Sequence, residues 1–466
     1  MIFSSLIFVQ FFLPATLFTY YLTPKKYQNT LLLIASVFFY FLDERYITFF
    51  ILGLIVVNHI CARLIEKSHK SISKLILIIG IVLNLAPLVF LKYSSFFVDT
   101  LNQVLPTTSK IIVKDLHLPV GISFIAFQTI SYLIDVYRKN GQSQKSIVNT
   151  ALYILMFPQL IAGPIVRYKD VAKQLVTRVF DAAEFAYGVK RFSIGLGKKV
   201  LVANTVGQIA DQIFSTAPSE LNWSVCLLGV LAYTIQIYFD FSGYSDMAIG
   251  LGRMFGFKYL ENFNLPYTAI SIKEFWKRWH ISLSSWFKDY VYVPLGGNRK
   301  SKSNTYRNLI LVFILCGFWH GANWTFLIWG MLHGAFIIFE KQQKVANFLE
   351  KMPNIIRHTY VMSIVMIGWI LFRSENLGYA LQYMWNIITL KSDSTFPYVS
   401  FYLSPYIIII IIAAIACSAF QFNYLLRVTD TAQFRNYEAI AAGIILIISI
   451  MQLASSTYNP FIYFRF

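Results

Sequence analysis

Charge is what this chain is short of. Asp, Glu, Lys and Arg make up 13% of its 466 residues, about half the ~25% of an ordinary soluble domain. With a mean hydropathy of +0.57, that shortage excludes a soluble globular protein and leaves an integral membrane one. Acids are scarcest, 22 against 40 bases, so the net charge is +18. Nucleic-acid binding does not follow. The basic residues are scattered through short loops between apolar runs, as the positive-inside rule expects, and no extended basic face carries base-stacking aromatics. Cysteine is also sparse: Cys61, Cys226, Cys316 and Cys417 lie far apart in or beside apolar segments, with no CxxC. They read as small packed residues rather than a redox or metal motif. The histidines show no short ligand spacing and no HExxH, so no metal site is expected. Internal repeats, low-complexity tracts and inserted soluble domains are all missing. The first 22 residues lack a basic n-region and a small-residue cleavage site, so they are expected to stay as a helix. Lys25 and Lys26 follow directly and place its C-terminal end in the cytoplasm.

What is present is a succession of apolar segments: residues 2–22, 30–42, 47–65, 75–91, 119–136, 147–166, 187–210, 222–251, 308–320, 323–340, 358–373, 404–422 and 437–455. A span needs roughly 20 apolar residues, so short ones such as 30–42 are expected to be re-entrant or buried in protein. The predicted fold is all-α: one polytopic membrane domain over 1–466, a bundle of roughly 11 or more helices with re-entrant and amphipathic members. Residues 388–403 read as a polar surface loop. Residues 253–307 hold ten Lys/Arg against three acids and no full span, which assigns them to the cytoplasmic side. Within them Ser271–Tyr292 reads as one amphipathic helix with Phe275, Trp279 and Trp286 as apolar anchors.

Polar residues inside such segments are expensive and therefore informative. Leu309–Phe339 contains no charged residue but holds His320 and His333. Started near Leu309, a helix carries His320 about 16 Å along its axis, close to mid-membrane. The sequence Gly321-Ala322-Asn323 then splits the run in two. Imidazole titrates near neutrality, which suits a proton-transfer catalyst. His280, in Trp279-His280-Ile281-Ser282-Leu283-Ser284, is placed to bond Ser284 one turn on. Asn323, Trp324 and Ser284 are candidates for lining the site or for oxyanion contacts.

Other stretches are more ambiguous. Phe157–Arg167 puts Gln159, two prolines and a glycine into an apolar run, where irregular backbone must be buried or line a cavity; a kinked helix serving packing alone fits equally well. In Gln236–Asp246, Asp240 can pair with Tyr244 and Ser242 with Asp246 along one turn. The two carboxylates are six apart, on different faces, so they form no acid/base dyad; a hydrogen-bond network is the better expectation. Gly243 and Gly250 permit close helix approach. Asp135 reads as a helix-end ion pair, and His59 as a satisfied structural residue. Leu295–Lys300 lacks Walker spacing, yet Arg299 and Lys300 could meet the phosphates of an acyl donor; plain positive-inside charge explains them as well.

Seven segments together resemble the membrane-bound O-acyltransferase family in its bacterial alginate O-acetyltransferase branch: FPQLIAGPIVR (157–167), QIYFDFSGYSD (236–246), NFNLPY (262–267), FWKRWHISLSSWFKDYVY (275–292), PLGGN (294–298), FWHGANWTFLIWGMLHG (318–334) and WILFR (369–373). The resemblance covers essentially the whole chain. It implies a helical bundle around a central tunnel, with the family's histidine at His320, a second at His280, and His333 matching a histidine usual in this branch. It also implies a periplasmic SGNH-type acetyltransferase partner and an envelope polysaccharide acceptor, alginate or peptidoglycan. Acetyl-CoA is the expected co-substrate, with no tightly bound cofactor, in a bacterial inner membrane surrounded by lipid. The rival is a transporter or flippase for a glycan precursor; inverted repeats would mark one, and none is seen. A scaffold for a polysaccharide synthase would make histidine substitutions silent.

Overall fold

The computed structural model describes residues 2–106, 109–112, 117–392, 398–419 and 432–462. Among them every regular element is helical. The chain divides into two compact units, Met1–Phe192 with Ser245–Leu260, and Ser193–Tyr244 with Glu261–Phe466.

The first unit begins with a π turn at Phe8–Phe12 and α1 (Leu13–Leu22), then α2 (Gln28–Lys67), α3 (Lys70–Asn102), α4 (Ile122–Tyr137), α5 (Ile147–Leu155), α6 (Phe157–Leu160), α7 (Tyr168–Val171) and most of α8 (Ala182–Gly197). A cluster of phenyl rings, Phe8, Phe12, Phe39, Phe157 and Phe255, packs at its centre, mostly edge to face, the arrangement that ring quadrupoles prefer. Residues 30–42 and 47–65 are two helical stretches of α2, as expected, separated by a kink where Arg45 takes φ 34°, ψ −107°. The bend falls at Asp43-Glu44-Arg45, and Glu44 is held there. Its buried carboxylate meets His117 Nε2 at 2.9 Å and accepts the Val120 N–H at 2.7 Å.

The 147–166 segment likewise departs from a continuous helix. It stops at Met156, resumes for one turn as α6 and becomes irregular through Arg167, with residues 150–166 buried. Pro158 and Pro164 supply the break, since each lacks a donor for a helical ladder. The Tyr153 hydroxyl donates to the Val166 carbonyl at 3.0 Å and ties the irregular backbone down. Asn58 and Asn84 exchange amide hydrogen bonds, and His59 meets Thr150 Oγ1 at 2.9 Å, a satisfied structural histidine. The Asp135 carboxylate accepts the Lys169 backbone N–H at 3.1 Å.

The second unit holds the end of α8, a π turn at Lys198–Ala203, α9 (Asn204–Phe214) and most of α10 (Trp223–Met254). It continues with α11 (Ile272–Arg278), α12 (Ile281–Phe287), α13 (Lys302–His320), α14 (Trp324–Glu340), α15 (Gln343–Glu350), α16 (Asn354–Arg373), α17 (Leu377–Ile388), α18 (Val399–Tyr402), α19 (Pro405–Ala419) and α20 (Ala432–Ser455). Residues 187–210, expected as one helix, run helical without a break, α8 passing through the π segment into α9. Of the predicted 388–403 loop, residues 389–392, 398 and 403 are irregular, 399–402 form a helical turn and 393–397 lie outside the described residues. Among the described residues five helices are long and apolar enough to cross a bilayer: Lys25–Lys67, Lys70–Asn102, Trp223–Met254, Asn354–Arg373 and Tyr437–Ser455.

The α13–α14 hairpin organises this unit. A Cβ on Gly317 would stand 2.3 Å from the Phe326 carbonyl oxygen, and one on Gly330 would stand 2.2 Å from that of Phe313. Only glycine at both positions lets the helices approach this closely, the membrane pattern of small residues at a crossing.

Candidate active site

His320 is the last residue of α13, which begins at Lys302 rather than near Leu309. Gly321 turns extended (φ −169°, ψ 155°), and Asn323 starts α14 by accepting the Thr325 N–H at 3.0 Å. The run thus breaks where the sequence predicts, immediately after the imidazole. His320 is buried, with its ring 4.8 Å from that of Trp319, 5.1 Å from Trp329 and 5.1 Å from Phe372, all edge-on. Three helices supply this aromatic cage: α13, α14 and α16.

The predicted helix over Ser271–Tyr292 is broken at Trp279-His280. Helix α11 opens with the Ser271 hydroxyl accepting the Glu274 N–H, and the Glu340 carboxylate accepts the N–H groups of Ile272 and Lys273. It ends at Arg278, and α12 starts after His280, which adopts the left-handed conformation (φ 43°, ψ 54°). Such backbone is costly for a residue with a Cβ and persists only where its surroundings enforce it. Here Asn262 enforces it. Its carbonyl accepts the Ile281 N–H at 2.9 Å; its Oδ1 takes the Ser282 hydroxyl at 2.8 Å and faces His280 Nδ1 at 3.1 Å. An amide oxygen accepts, so the shared proton resides on Nδ1 and Nε2 keeps its lone pair. Burial against Phe241, edge-on at 4.6 Å, pushes the imidazole pKa down to about 3, so the ring is neutral at physiological pH.

His280 and His320 flank one indole: the Trp319 ring lies 6.2 Å from the former and 4.8 Å from the latter. His333 extends the row. Its ring lies 5.2 Å from Trp329, 5.2 Å from Trp276 and nearly parallel to Phe275 at 6.2 Å. It is fully buried, and neither ring nitrogen has a hydrogen-bond partner. The structure therefore brings all three candidate histidines into one aromatic layer of the second unit.

The remaining candidates take other roles. Asn323 caps α14 and donates to the Glu375 carbonyl at 2.8 Å. Trp324 is 46% exposed. His280 and Ser284 do bond, through the Ser284 N–H and the His280 carbonyl at 3.1 Å, while the Ser284 hydroxyl goes to the Trp276 carbonyl at 3.4 Å. Asp240, expected to pair with Tyr244, instead pairs with buried Lys199 at 2.6 Å and accepts the Ile462 N–H at 3.0 Å. Asp246, expected to pair with Ser242, pairs instead with Arg191 at 2.6 Å, in the first unit. Gln159, also in the first unit, donates to the Tyr153 carbonyl. Gly243 and Gly250 do serve close approach, against the backbone of Gly195 and Gly188 respectively. Arg299 and Lys300 are exposed in the turn before α13, which Asn308 holds by donating to the carbonyls of Leu295 and Gly297. Among the described residues no group of three or more His, Cys, Asp or Glu could hold a metal ion.

Asn262 and Phe372 were not singled out from sequence, although both lie in recognised motifs, NFNLPY and WILFR. An amide at the start of one motif and a phenyl ring in another carry no signal that they contact a histidine 18 or 52 residues away.

Comparison with known proteins places the chain among relatives. A protein named probable alginate O-acetylase AlgI from Azotobacter vinelandii is 44% identical over 384 residues, covering 82% of this chain and 76% of the relative. The peptidoglycan O-acetyltransferase of Helicobacter pylori is 37% identical over 430 residues, covering 84% and 81%. The teichoic acid D-alanyltransferase of Bacillus subtilis is 29% identical over 275 residues, covering 55% and 68%. Residues 83–382, which include all three histidines, match the model of one family. The chain belongs to the membrane-bound O-acyltransferase family, and it is a multi-pass membrane O-acyltransferase.

Proposed function

We propose that this enzyme, in a bacterial inner membrane, moves acetyl from cytoplasmic acetyl-CoA to a hydroxyl on an extracytoplasmic polysaccharide, with His320 as general base. The observation that carries the reading is the placement of His320: at the end of α13, in an aromatic cage, one indole from a neutral second histidine. A neutral alcohol attacks a thioester slowly, and a positioned base raises the rate by about 10²–10⁴-fold. His320 takes the acceptor proton as the oxygen bonds to the acetyl carbon. The C–S bond breaks, and the proton passes to the departing thiolate. The aromatic walls keep water from competing as acceptor.

His280 acts as a positioning group in this scheme. With its Nδ1 proton committed to Asn262, the neutral ring is held in one orientation beside Trp319, where it can position the thioester. Arg299 and Lys300 are exposed bases suited to the nucleotide phosphates of the donor. The hydroxyl that attacks belongs either to the glycan itself or to a periplasmic SGNH-type acetyltransferase that passes the acetyl on to it. The acceptor class follows the relatives, whose names specify alginate and peptidoglycan. Family membership sets aside the transporter and scaffold readings.

The test is acetyl transfer by purified protein supplied with labelled acetyl-CoA and each glycan. Wild type should consume thioester and label one acceptor. His320→Gln should do neither while remaining inserted and folded; normal transfer by that variant would remove His320 as the base.

A further inference from the structure

Away from the histidine layer, the second unit contains a partly open cavity of about 100 Å³. Asn204, Thr205, Gln208, Tyr406, Gln452, Ser456 and Tyr458 form its polar wall, and among the described residues no carboxylate, amine or guanidinium lines it. Amides and hydroxyls both donate and accept, whereas a buried anion without a cation nearby pays a large desolvation cost. The wall therefore matches hydroxyl groups and disfavours carboxylate or phosphate. The buried Asn204 amide adds a second observation. Its Nδ2 donates to the Tyr458 carbonyl at 3.4 Å and faces Asn459 Oδ1 at 3.3 Å, but its Oδ1 has no hydrogen-bond partner. A buried orphan acceptor calls for a donor. The volume holds on the order of three waters, or equally a glycerol or the hydroxymethyl edge of one sugar ring. Tyr406 and Tyr458 provide the aromatic surface that C–H faces of such groups pack against. Gln452 lies in the last turn of α20, and Tyr406 in the first turn of α19. Helix ends like these are where a membrane protein meets water and headgroups, so a hydrophilic ligand can reach the cavity.

We propose that this cavity is a binding site for a neutral, hydroxyl-rich group. Two sources present that chemistry: a sugar residue of a glycan, and the terminal glycerol of a phospholipid headgroup. The inference goes beyond the acyl-transfer reading and does not depend on it, because binding is measured with no acyl donor present.

The experiment uses the full chain in phosphatidylcholine nanodiscs. One arm titrates an N-acetylglucosamine trisaccharide by saturation-transfer NMR. The other exchanges in phosphatidylglycerol or phosphatidic acid, which differ by the terminal glycerol, and reads retention by native mass spectrometry. Saturable trisaccharide binding assigns a glycan, and preference for phosphatidylglycerol over phosphatidic acid assigns the headgroup. Whichever probe binds should bind at least fivefold more weakly to Gln452→Leu, with unchanged thermal unfolding. If that variant fails to fold, the near-isosteric Thr205→Val should show the same loss. The proposal is overturned if neither probe binds wild type, if the variants bind as wild type does, or if phosphatidic acid or a uronate trisaccharide binds as well as its neutral counterpart.

Discussion

The carboxylates of α10 and the histidines of α11 to α14 raised the same alarm, polar groups in apolar segments, and the structure answered it in opposite ways. Each α10 carboxylate has a cation against it, Lys199 for Asp240 and Arg191 for Asp246. The Asp240–Lys199 pair also holds the backbone near the C-terminus, through the Pro460 carbonyl and the Ile462 N–H. Around the histidines the neighbours are Trp and Phe rings and the Asn262 amide. A charge matched by an opposite charge is spent on architecture; a titratable ring walled by aromatic side chains is placed for proton transfer. The comparison predicts that substitutions will separate, those on α10 acting on stability and those in the histidine layer acting on rate.

The largest expected effect is on rate. His320→Gln should lower acetyl transfer by about 10³-fold with little change in thermal unfolding, measured on the same preparation. If it unfolds the protein instead, the contrast collapses. Next comes the buried pair. Asp240→Ala leaves Lys199 uncompensated and should cost about 3–5 kcal/mol, read as loss of folded protein in detergent. Adding Lys199→Met should recover most of that loss, and a rescued enzyme that still lacks activity would assign Asp240 a chemical role.

Asn262→Ala should be intermediate. It frees the His280 tautomer and the left-handed turn together, so kcat/KM should fall about tenfold, and His280→Ala should add little on top of it. Additive losses would show that the two residues act separately.

His280 also makes a prediction about pH. Its folded pKa, about 3, lies below the ordinary 6.5, so the unfolded chain binds a proton that the native one does not. Its contribution to stability is therefore lost progressively as pH falls from about 6.5 toward 3. In unfolding experiments across that window His280→Gln should show a shallower acid loss than wild type, and an identical slope would refute the neutral assignment. The smallest effect is expected at the exposed turn: Arg299→Ala with Lys300→Ala should raise KM for acetyl-CoA several-fold and leave kcat unchanged. A fall in kcat with KM constant would detach these bases from donor binding.

Much of this was legible in the chain because it depends on local chemistry. The break after His320 follows from Gly321 and the cap at Asn323. The irregular Phe157–Arg167 backbone follows from its two prolines. Helices α4, α13, α14 and α16 lie where the apolar runs place them, with ends displaced by a few residues, and α3 extends its run to Asn102. The kink between 30–42 and 47–65 falls at Asp43-Glu44-Arg45, between the two apolar runs, and His117 and Val120 hold Glu44 there. One misreading has a long-range cause. Ser271–Tyr292 was read as one helix because its periodicity is unbroken; the break at His280 is imposed by Asn262, and periodicity contains no term for that.

The sequence by itself determined that the protein is a helical membrane enzyme, which family it resembles and which imidazole to examine, because hydropathy, helix-breaking residues and motifs are properties of neighbouring positions. Only the tertiary structure decided which polar residues meet opposite charges and which meet aromatic rings. Partner choice depends on groups far apart along the chain: Lys199 is 41 residues from Asp240, Asn262 is 18 from His280, and Phe372 is 52 from His320. Nothing in local spacing encodes such meetings; packing brings them about.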